Sequence, residues 1–497
     1  MRDKTLSRAI LLIILLAYIA LGFAYAKMTP LWQVPDEPAH FNYVVYVAEE
    51  NGLPVLQTGD YPQAYLEEIK ARHFPADMSI VPIRYESHQP PLYYLTASVL
   101  YRVLSGLTLL TQVLGLRLLS VFFGVAILLM AYLTVREIFP NDPYLVLGTT
   151  AFIAFVPMHI AMTAGINNDA LAELILACTL WQLVRLLNTD FDSKRSILLG
   201  ITIGLGLLTK TTTYVSVPLA IIAVLSMAYK DRGSSSQVSW KRIGVRSALI
   251  LGPVLLVALP WLLRNVAIYG PTDPLGWQRH DEVVAGQLTT TDFLSQVGLL
   301  QYLRAFVHTT FQSFWAQFGW MGVLVDQRIY LTLALLCIYV TLGLALFVVR
   351  QRQAAHHFTR FQEQALVLLA VSAFLTLCTY LWYNTKFVQH QGRYLFPAMI
   401  PIGLFFTLGL RELLTDHWAR ALVPISALGA STAVLLYFSC PQFGRLPTAL
   451  GIIIFVYYVA RRFLPKWIAV IVPPLVHASL FGLAIVCLWG FIIPYFR

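Results

Sequence analysis

Asp36, Glu37 and His40 stand in the run Pro35-Asp-Glu-Pro-Ala-His40, just past the first apolar stretch of the chain. Two carboxylates beside an imidazole can take a proton from a hydroxyl, hold that hydroxyl in place, or bind a divalent ion. Asp36, His40 and Tyr43 are spaced i, i+4 and i+7, so a helix would carry all three on one face. The same run also reads as a helix start, with Asp36 as N-cap and Pro38 in the first turn. Both readings stand at this point.

Further polar residues interrupt apolar surroundings. Asp169 closes Ile166-Asn-Asn-Asp169, where it too suits an N-cap. Glu173 follows one turn later inside an apolar run, where a carboxylate costs about 2.5 kcal/mol or more to insert into a bilayer. His88-Gln89 precedes Pro-Pro-Leu-Tyr93-Tyr94. Lys210 ends the run from Gly204, where a snorkelling side chain would also explain a base. Arg264 follows Leu259-Pro-Trp-Leu-Leu, and Arg393-Tyr394 precede Leu-Phe-Pro397. Together these residues supply acids, imidazoles and cations. Asp36, with Glu37 and Asp169, is a set of candidate catalytic carboxylates. Lys210, Arg264 and Arg393 would neutralise an anionic leaving group. His40, Tyr43, His88, Gln89, Tyr93 and Tyr394 would line the substrate. No spacing demands a metal. A divalent ion, if held, would use Glu37, His40, His88 and Asp169.

The elements that must position these residues are membrane helices. Of the 497 residues, 58% are hydrophobic and 12% charged, about half the charge of a soluble protein, and the mean hydropathy is +0.68. Apolar runs long enough to cross a bilayer recur from end to end. The net charge of +10 is therefore a matter of topology, and nucleic acid is not implied. The five cysteines are scattered and show neither metal spacing nor a disulfide framework.

The first run, about 9–26, follows Arg2, Lys4 and Arg8 and ends in a cleavage-like Ala24-Tyr25-Ala26. Its length favours an uncleaved helix. Residues 91–104 are too short to cross and contain Arg102, so they are expected at the outer surface. Further spans then fall near 113–135, 143–165, 170–188, 196–209, 212–229, 245–265, 329–349, 363–382, 396–411, 420–438, 447–461 and 468–494. Inner turns collect Arg136, Lys194, Arg195, Arg232, Lys241, Arg350, Arg411, Arg462 and Lys466, as the positive-inside rule requires. The expectation is an all-α polytopic protein of about thirteen spans, with long first (28–112) and fourth (271–328) outer loops. Residues 1–270 would form the catalytic core and 329–497 the C-terminal helices. The aromatic run Phe314–Trp320 in the fourth loop reads as an interfacial belt. Every polar exception then lies at the outer face, which suits sugar transfer from a lipid-borne phosphate to a hydroxyl.

At this point the chain resembles the GT-C glycosyltransferases, in the branch holding protein O-mannosyltransferases and the aminoarabinose transferase of lipid A. The matching features are Asp36-Glu37, Pro90-Pro-Leu-Tyr93, Asp169, the Gly-Leu-x-x-Leu-Thr-Lys run ending at Lys210, and Leu259-Pro-Trp261. They cover roughly the first 270 residues. Asp-Glu-Pro-Ala-His, His-Gln-Pro-Pro-Leu-Tyr-Tyr and Gly-Arg-Tyr-Leu-Phe-Pro look closest to a poorly characterised prokaryotic subgroup. Where related enzymes often carry Lys before Pro-Pro-Leu, this chain has His88-Gln89. The resemblance implies a polyprenyl-monophosphate sugar donor, an outer-loop Asp as base, and inversion at the anomeric carbon. The expected setting is the plasma (inner) membrane with the site facing outside or the periplasm. The acceptor would be a glycan, lipid or protein, and no cofactor is required.

Two other classes remain open on the sequence. A lipid-linked sugar flippase or transporter would show two similar halves and charges near mid-membrane. A non-catalytic envelope-assembly scaffold would explain the aromatic loops but not the outer cations.

Overall fold

A computed structural model describes residues 2–189, 192–230, 240–353, 358–440, 443–461, 463, 465 and 467–497. Of the inner-turn bases named above, Arg232, Arg462 and Lys466 lie outside the described residues. Each apolar stretch marked out in the sequence is helical, because in hydrocarbon the backbone must satisfy its own donors and acceptors.

In chain order, α1 (Arg2–Met28) leads to three short helices, α2 (Glu37–Glu50), α3 (Gln63–Ala71) and α4 (Leu92–Leu104). Next come α5 (Leu109–Ile138), α6 (Pro143–Phe155), α7 (Pro157–Thr163), α8 (Asp169–Asn188) and α9 (Ser193–Leu207). α10 (Ser216–Lys230) and α11 (Trp240–Tyr269) precede the pair α12 (Trp277–Val283) and α13 (Thr290–Trp315). After a small hairpin, β1 (Gln317–Phe318) with β2 (Val323–Leu324), the chain continues through α14 (Gln327–Gln353) and α15 (Arg360–Tyr383). The last helices are α16 (Met399–Leu413), α17 (Ala419–Ser439), α18 (Arg445–Ala460), α19 (Trp467–Val486) and α20 (Ile493–Phe496).

Among the described residues ten helices are long and apolar enough to cross a membrane, and an eleventh span is bent by 67° between α6 and α7. Pro157 explains the break, since it withholds an amide and forces Val156 out of the helical region (φ −70°, ψ 115°). The other two stretches, α9 and α18, are helices of 15 and 16 residues, shorter than a perpendicular crossing needs. The expected thirteen spans thus resolve into ten full ones, one broken one and two short ones. α9 compensates by lying tightly on α11: a Cβ on Gly200 would collide with the carbonyl of Ile250.

α4 is 13 residues long, below crossing length. It buries Tyr93, Tyr94, Ala97, Ser98 and Tyr101 against its neighbours. Its Arg102 caps the end of α2 through the carbonyls of Val47 and Ala48 (3.2 and 3.0 Å) and Asn51 Oδ1 (2.6 Å). α1 is a packed part of the bundle, with Tyr18 and Tyr25 fully buried. The aromatic run of the fourth outer loop differs from expectation. Trp315 is 2% exposed against Phe152, and Trp320 Nε1 donates to the Trp32 carbonyl (2.8 Å) while stacking on Phe74. These rings are core and loop clasps, and no belt is formed by them.

The end of the bundle opposite α2 and α4 is tied by ion pairs. Arg411 meets Asp142, and Arg350 meets Glu412 (2.7 Å), which also accepts from Trp418.

Candidate active site

Asp36 sits in the turn between α1 and α2 with φ 66°, the left-handed region that Asp tolerates better than most residues. Its side chain makes no capping bond. One carboxylate oxygen accepts from the Tyr85 hydroxyl (2.7 Å) and the other from Arg393 Nη2 (2.6 Å). Of the two readings of the Pro35–His40 run, the helix cap is thereby answered in the negative. Burial alone would raise the Asp36 pKa, but the Arg393 charge and the bonds from Arg393 and Tyr85, with the His40 imidazole nearby, outweigh it and hold it at about 2.

Arg393 opens a 3-10 turn, Gly392–Ala398, that feeds α16. The turn presses against α13 so closely that a Cβ on Gly392 would meet Phe314 N and the Thr310 carbonyl, while the Gly392 amide donates to Ser313 Oγ (2.7 Å). The Arg393 side chain is therefore delivered from a fixed backbone. It is 7% exposed, and its Nε is buried without a partner.

A second ion pair lies alongside. Asp169 begins α8 and meets Lys210 Nζ at 2.7 Å. It does not cap its helix; Asn167 Oδ1 accepts from the Ala170 amide instead (3.2 Å). His40 stands among the charges of Glu86, Lys210, Asp36 and Asp169, and its Nδ1 meets the Tyr94 hydroxyl at 2.8 Å. Burial outweighs the nearby acids and lowers its pKa, favouring neutral imidazole. Asp169, Glu173, Thr213, Arg393 and Tyr394 line one small cavity of about 20 Å³, enough for a single water.

The remaining expected residues are placed differently. Glu37 is fully buried and spent on structure. Its Oε1 accepts from Arg117 Nε (2.7 Å) and the Ile166 amide (3.2 Å), and its Oε2 from Arg117 Nη2 (2.6 Å) and the Trp32 amide (3.1 Å). With four donors on two oxygens it has nothing left for catalysis or a metal. Tyr43 and Tyr93 are core rings: Tyr43 stacks on Tyr94 at 3.6 Å and donates to the Gln89 carbonyl (3.1 Å), and Tyr93 is wholly buried. Arg264 grips the segment after α2 through the carbonyls of Leu53 and Pro54 (3.2 and 2.6 Å) and stacks over Trp261. Gln89 Oε1 accepts from Asn168 Nδ2 (3.3 Å), joining the first loop to the turn before α8.

His88 turns toward the fourth loop, 4.5 Å from the His280 ring, and burial drives its pKa well down. The conditional metal set Glu37, His40, His88 and Asp169 is thus dispersed. Among the described residues, no three His, Cys, Asp or Glu side chains group to hold an ion.

Sequence reasoning missed three contributors. Tyr85 lies in a polar loop with no motif around it. Arg117 looked like one polar position in an apolar span. His159, on the far side of the α6–α7 break, meets both oxygens of Glu173 through Nε2 (3.1 Å each). Only the last had a sequence signal: an intramembrane carboxylate demands a partner.

The family described as "Predicted membrane protein (DUF2142)" matches residues 59–401. The chain belongs to that family. Asp36 lies just upstream of the matched stretch, and Asp169, Lys210 and Arg393 lie within it. No curated protein matches the chain. Among solved structures it is similar to the oligosaccharyltransferase of Archaeoglobus fulgidus tethered with an acceptor peptide, at 14% identity and a TM-score of 0.50. That match covers 94% of this chain and 55% of the archaeal one, so this chain spans about half that protein's length. It is likewise similar to ArnT from Cupriavidus metallidurans bound to undecaprenyl phosphate, at 14% identity and a TM-score of 0.50, covering 97% of this chain and 76% of that one. The DUF2142 chain therefore has the GT-C fold, in a multi-pass helical membrane protein.

Proposed function

We propose that this protein is a membrane glycosyltransferase that moves a sugar from a polyprenyl-phosphate donor to an acceptor hydroxyl at the outer face of the membrane. The observation that carries the reading is Arg393, a buried guanidinium that shares a cavity with Asp169, bonds Asp36, and keeps Nε unpartnered. Such a donor fits a phosphate oxygen. The GT-C fold, and the undecaprenyl phosphate named with ArnT, support a lipid-phosphate ligand.

In this reaction the acceptor oxygen attacks the anomeric carbon with inversion while its proton passes to Asp36. The bond between the anomeric carbon and the phosphate oxygen breaks, and its electron pair leaves on the polyprenyl phosphate. Arg393 and Lys210 balance the charge that gathers there. The ion pairs make Asp36 a weak base at rest. A phosphate that draws Arg393 away removes the largest lowering influence on Asp36, so Asp36 becomes more basic when donor is bound. The cavity has room for about one water, so donor entry must widen it.

The test is release of labelled sugar from a polyprenyl-phosphate sugar by the purified protein, beside Asp36→Asn. Transfer that Asp36→Asn slows by roughly 10²–10⁴ supports Asp36 as base. Equal rates would move that role to Asp169.

A further inference from the structure

Glu173 and Glu37 are both buried glutamates, yet they are satisfied to very different degrees. A carboxylate offers about four acceptor sites. Glu37 fills its sites with four donors, whereas both oxygens of Glu173 share the single Nε2 of His159. The donors near Glu173 are turned elsewhere. Thr163 Oγ1 donates to the His159 carbonyl (2.8 Å), Thr213 Oγ1 to the Lys210 carbonyl (2.8 Å), and Asn167 Nδ2 to the Met162 carbonyl (2.7 Å). Glu173 lines the same cavity as Arg393, whose Nε is an unmatched donor. One small cavity is thus lined by an arginine that keeps an unmet donor and by a glutamate that is an under-used acceptor. A ligand that fills both carries an acceptor group and a hydroxyl within a few bonds of each other, as a sugar does beside its anomeric phosphate.

His159 cannot be the whole reason for Glu173. One imidazole N–H would be satisfied as well by a neutral amide or hydroxyl, without the penalty of a carboxylate in a membrane helix. What a carboxylate adds is a strong acceptor toward the cavity. The break at Pro157 turns α7 and brings the His159 ring to the Glu173 carboxylate.

We propose that Glu173, oriented by His159, binds a hydroxyl of the transferred sugar and so distinguishes a glycosylated lipid phosphate from the bare one. The inference rests on the reading that Arg393 receives the donor phosphate.

The experiment measures binding of bare undecaprenyl phosphate, and of undecaprenyl phosphate bearing glucose, mannose, galactose or arabinose, to the purified full chain. The expected result is that one sugar or more tightens wild-type binding about tenfold. Glu173→Gln should lose that gain while binding the bare lipid as wild type does. Glu173→Asp, which keeps the charge, should recover part of the gain and guards against a misfolded Gln variant. Equal loss for bare and glycosylated lipid would reduce Glu173 to a structural role and overturn the proposal. So would a gain that survives Glu173→Gln, or a wild type that gains from none of the four sugars. Should the bare lipid fail to bind wild type, or bind Arg393→Gln equally well, the phosphate reading itself fails and this inference falls with it.

Discussion

Asp36 and Glu37 are adjacent in the chain, and each meets an arginine from a distant helix. Around Glu37 the pair is sealed: Arg117 is 2% exposed and gives all its donors to Glu37 and to the carbonyls of Ala26, Thr29 and Pro30. Around Asp36 the pair is unfinished. Asp36 is 24% exposed, Arg393 spends one bond on it, and Nε faces no partner. The same two residue types thus serve as a fastener in one place and as a reactive contact in the other. The difference lies in how many donors remain uncommitted, not in which residues are present.

That contrast can be broken or sharpened by substitution. Asp36→Asn should act mainly on chemistry, costing roughly 10²–10⁴ in turnover and less stability than the loss of Glu37, because Asp36 meets Arg393 through a single bond. Glu37→Ala should do the reverse, destabilising the fold by about 3–5 kcal/mol because Arg117 is left buried and unpaired. A folded Glu37→Ala protein of normal stability and no activity would exchange the two roles.

Arg393→Gln should raise the pKa of Asp36 from about 2, since it removes the largest lowering influence and leaves burial, which raises it, in place. The sign follows from linkage. In wild type the depressed pKa contributes stability above about pH 4, and this is lost as pH falls toward 2. In the variant, Asp36 protonates at higher pH, visible as a carboxyl band in infrared difference spectra; a band unmoved from wild type would refute the assignment of Arg393 as the dominant influence.

A smaller effect is expected of Arg264→Ala, which frees two loop carbonyls at a cost of about 1–2 kcal/mol. Binding of bare undecaprenyl phosphate should persist, whereas a collapse of that binding would restore Arg264 to the phosphate site. The least perturbing test is topological: Ser105→Cys should label from outside and Asn141→Cys only from inside, and the opposite pattern would turn the site to the inner face.

The helices were legible because unbroken apolar length is a strong signal, but the same signal hid the α6–α7 bend at Pro157 inside the single span expected over 143–165. Asp36, Asp169, Lys210 and Arg393 stood out as charges among apolar residues, although caps and snorkelling competed to explain three of them, and the structure gathers them into two ion pairs. Glu37 misled because its neighbour's chemistry was extended to it. Its partner, Arg117, lies 80 residues away inside a span and nothing local announces the pairing. Tyr43 and Tyr93 misled for a related reason: a tyrosine near a polar motif can be core or site, and only packing decides. Arg264 was assigned to phosphate by its position at a helix end, when a loop folded back to claim it.

The Tyr25 hydroxyl donates to the Ala484 carbonyl (2.7 Å), joining residues 459 positions apart, and His73 of the first loop stacks on Tyr495. These contacts give the protein an order of assembly. The translocon inserts α1 long before α19 exists, so the loop bearing Asp36 waits, partly unclasped, until the last helices arrive. Chains halted before α19 would therefore be inserted yet lack both contacts, leaving the first loop without its clasp to the last helices.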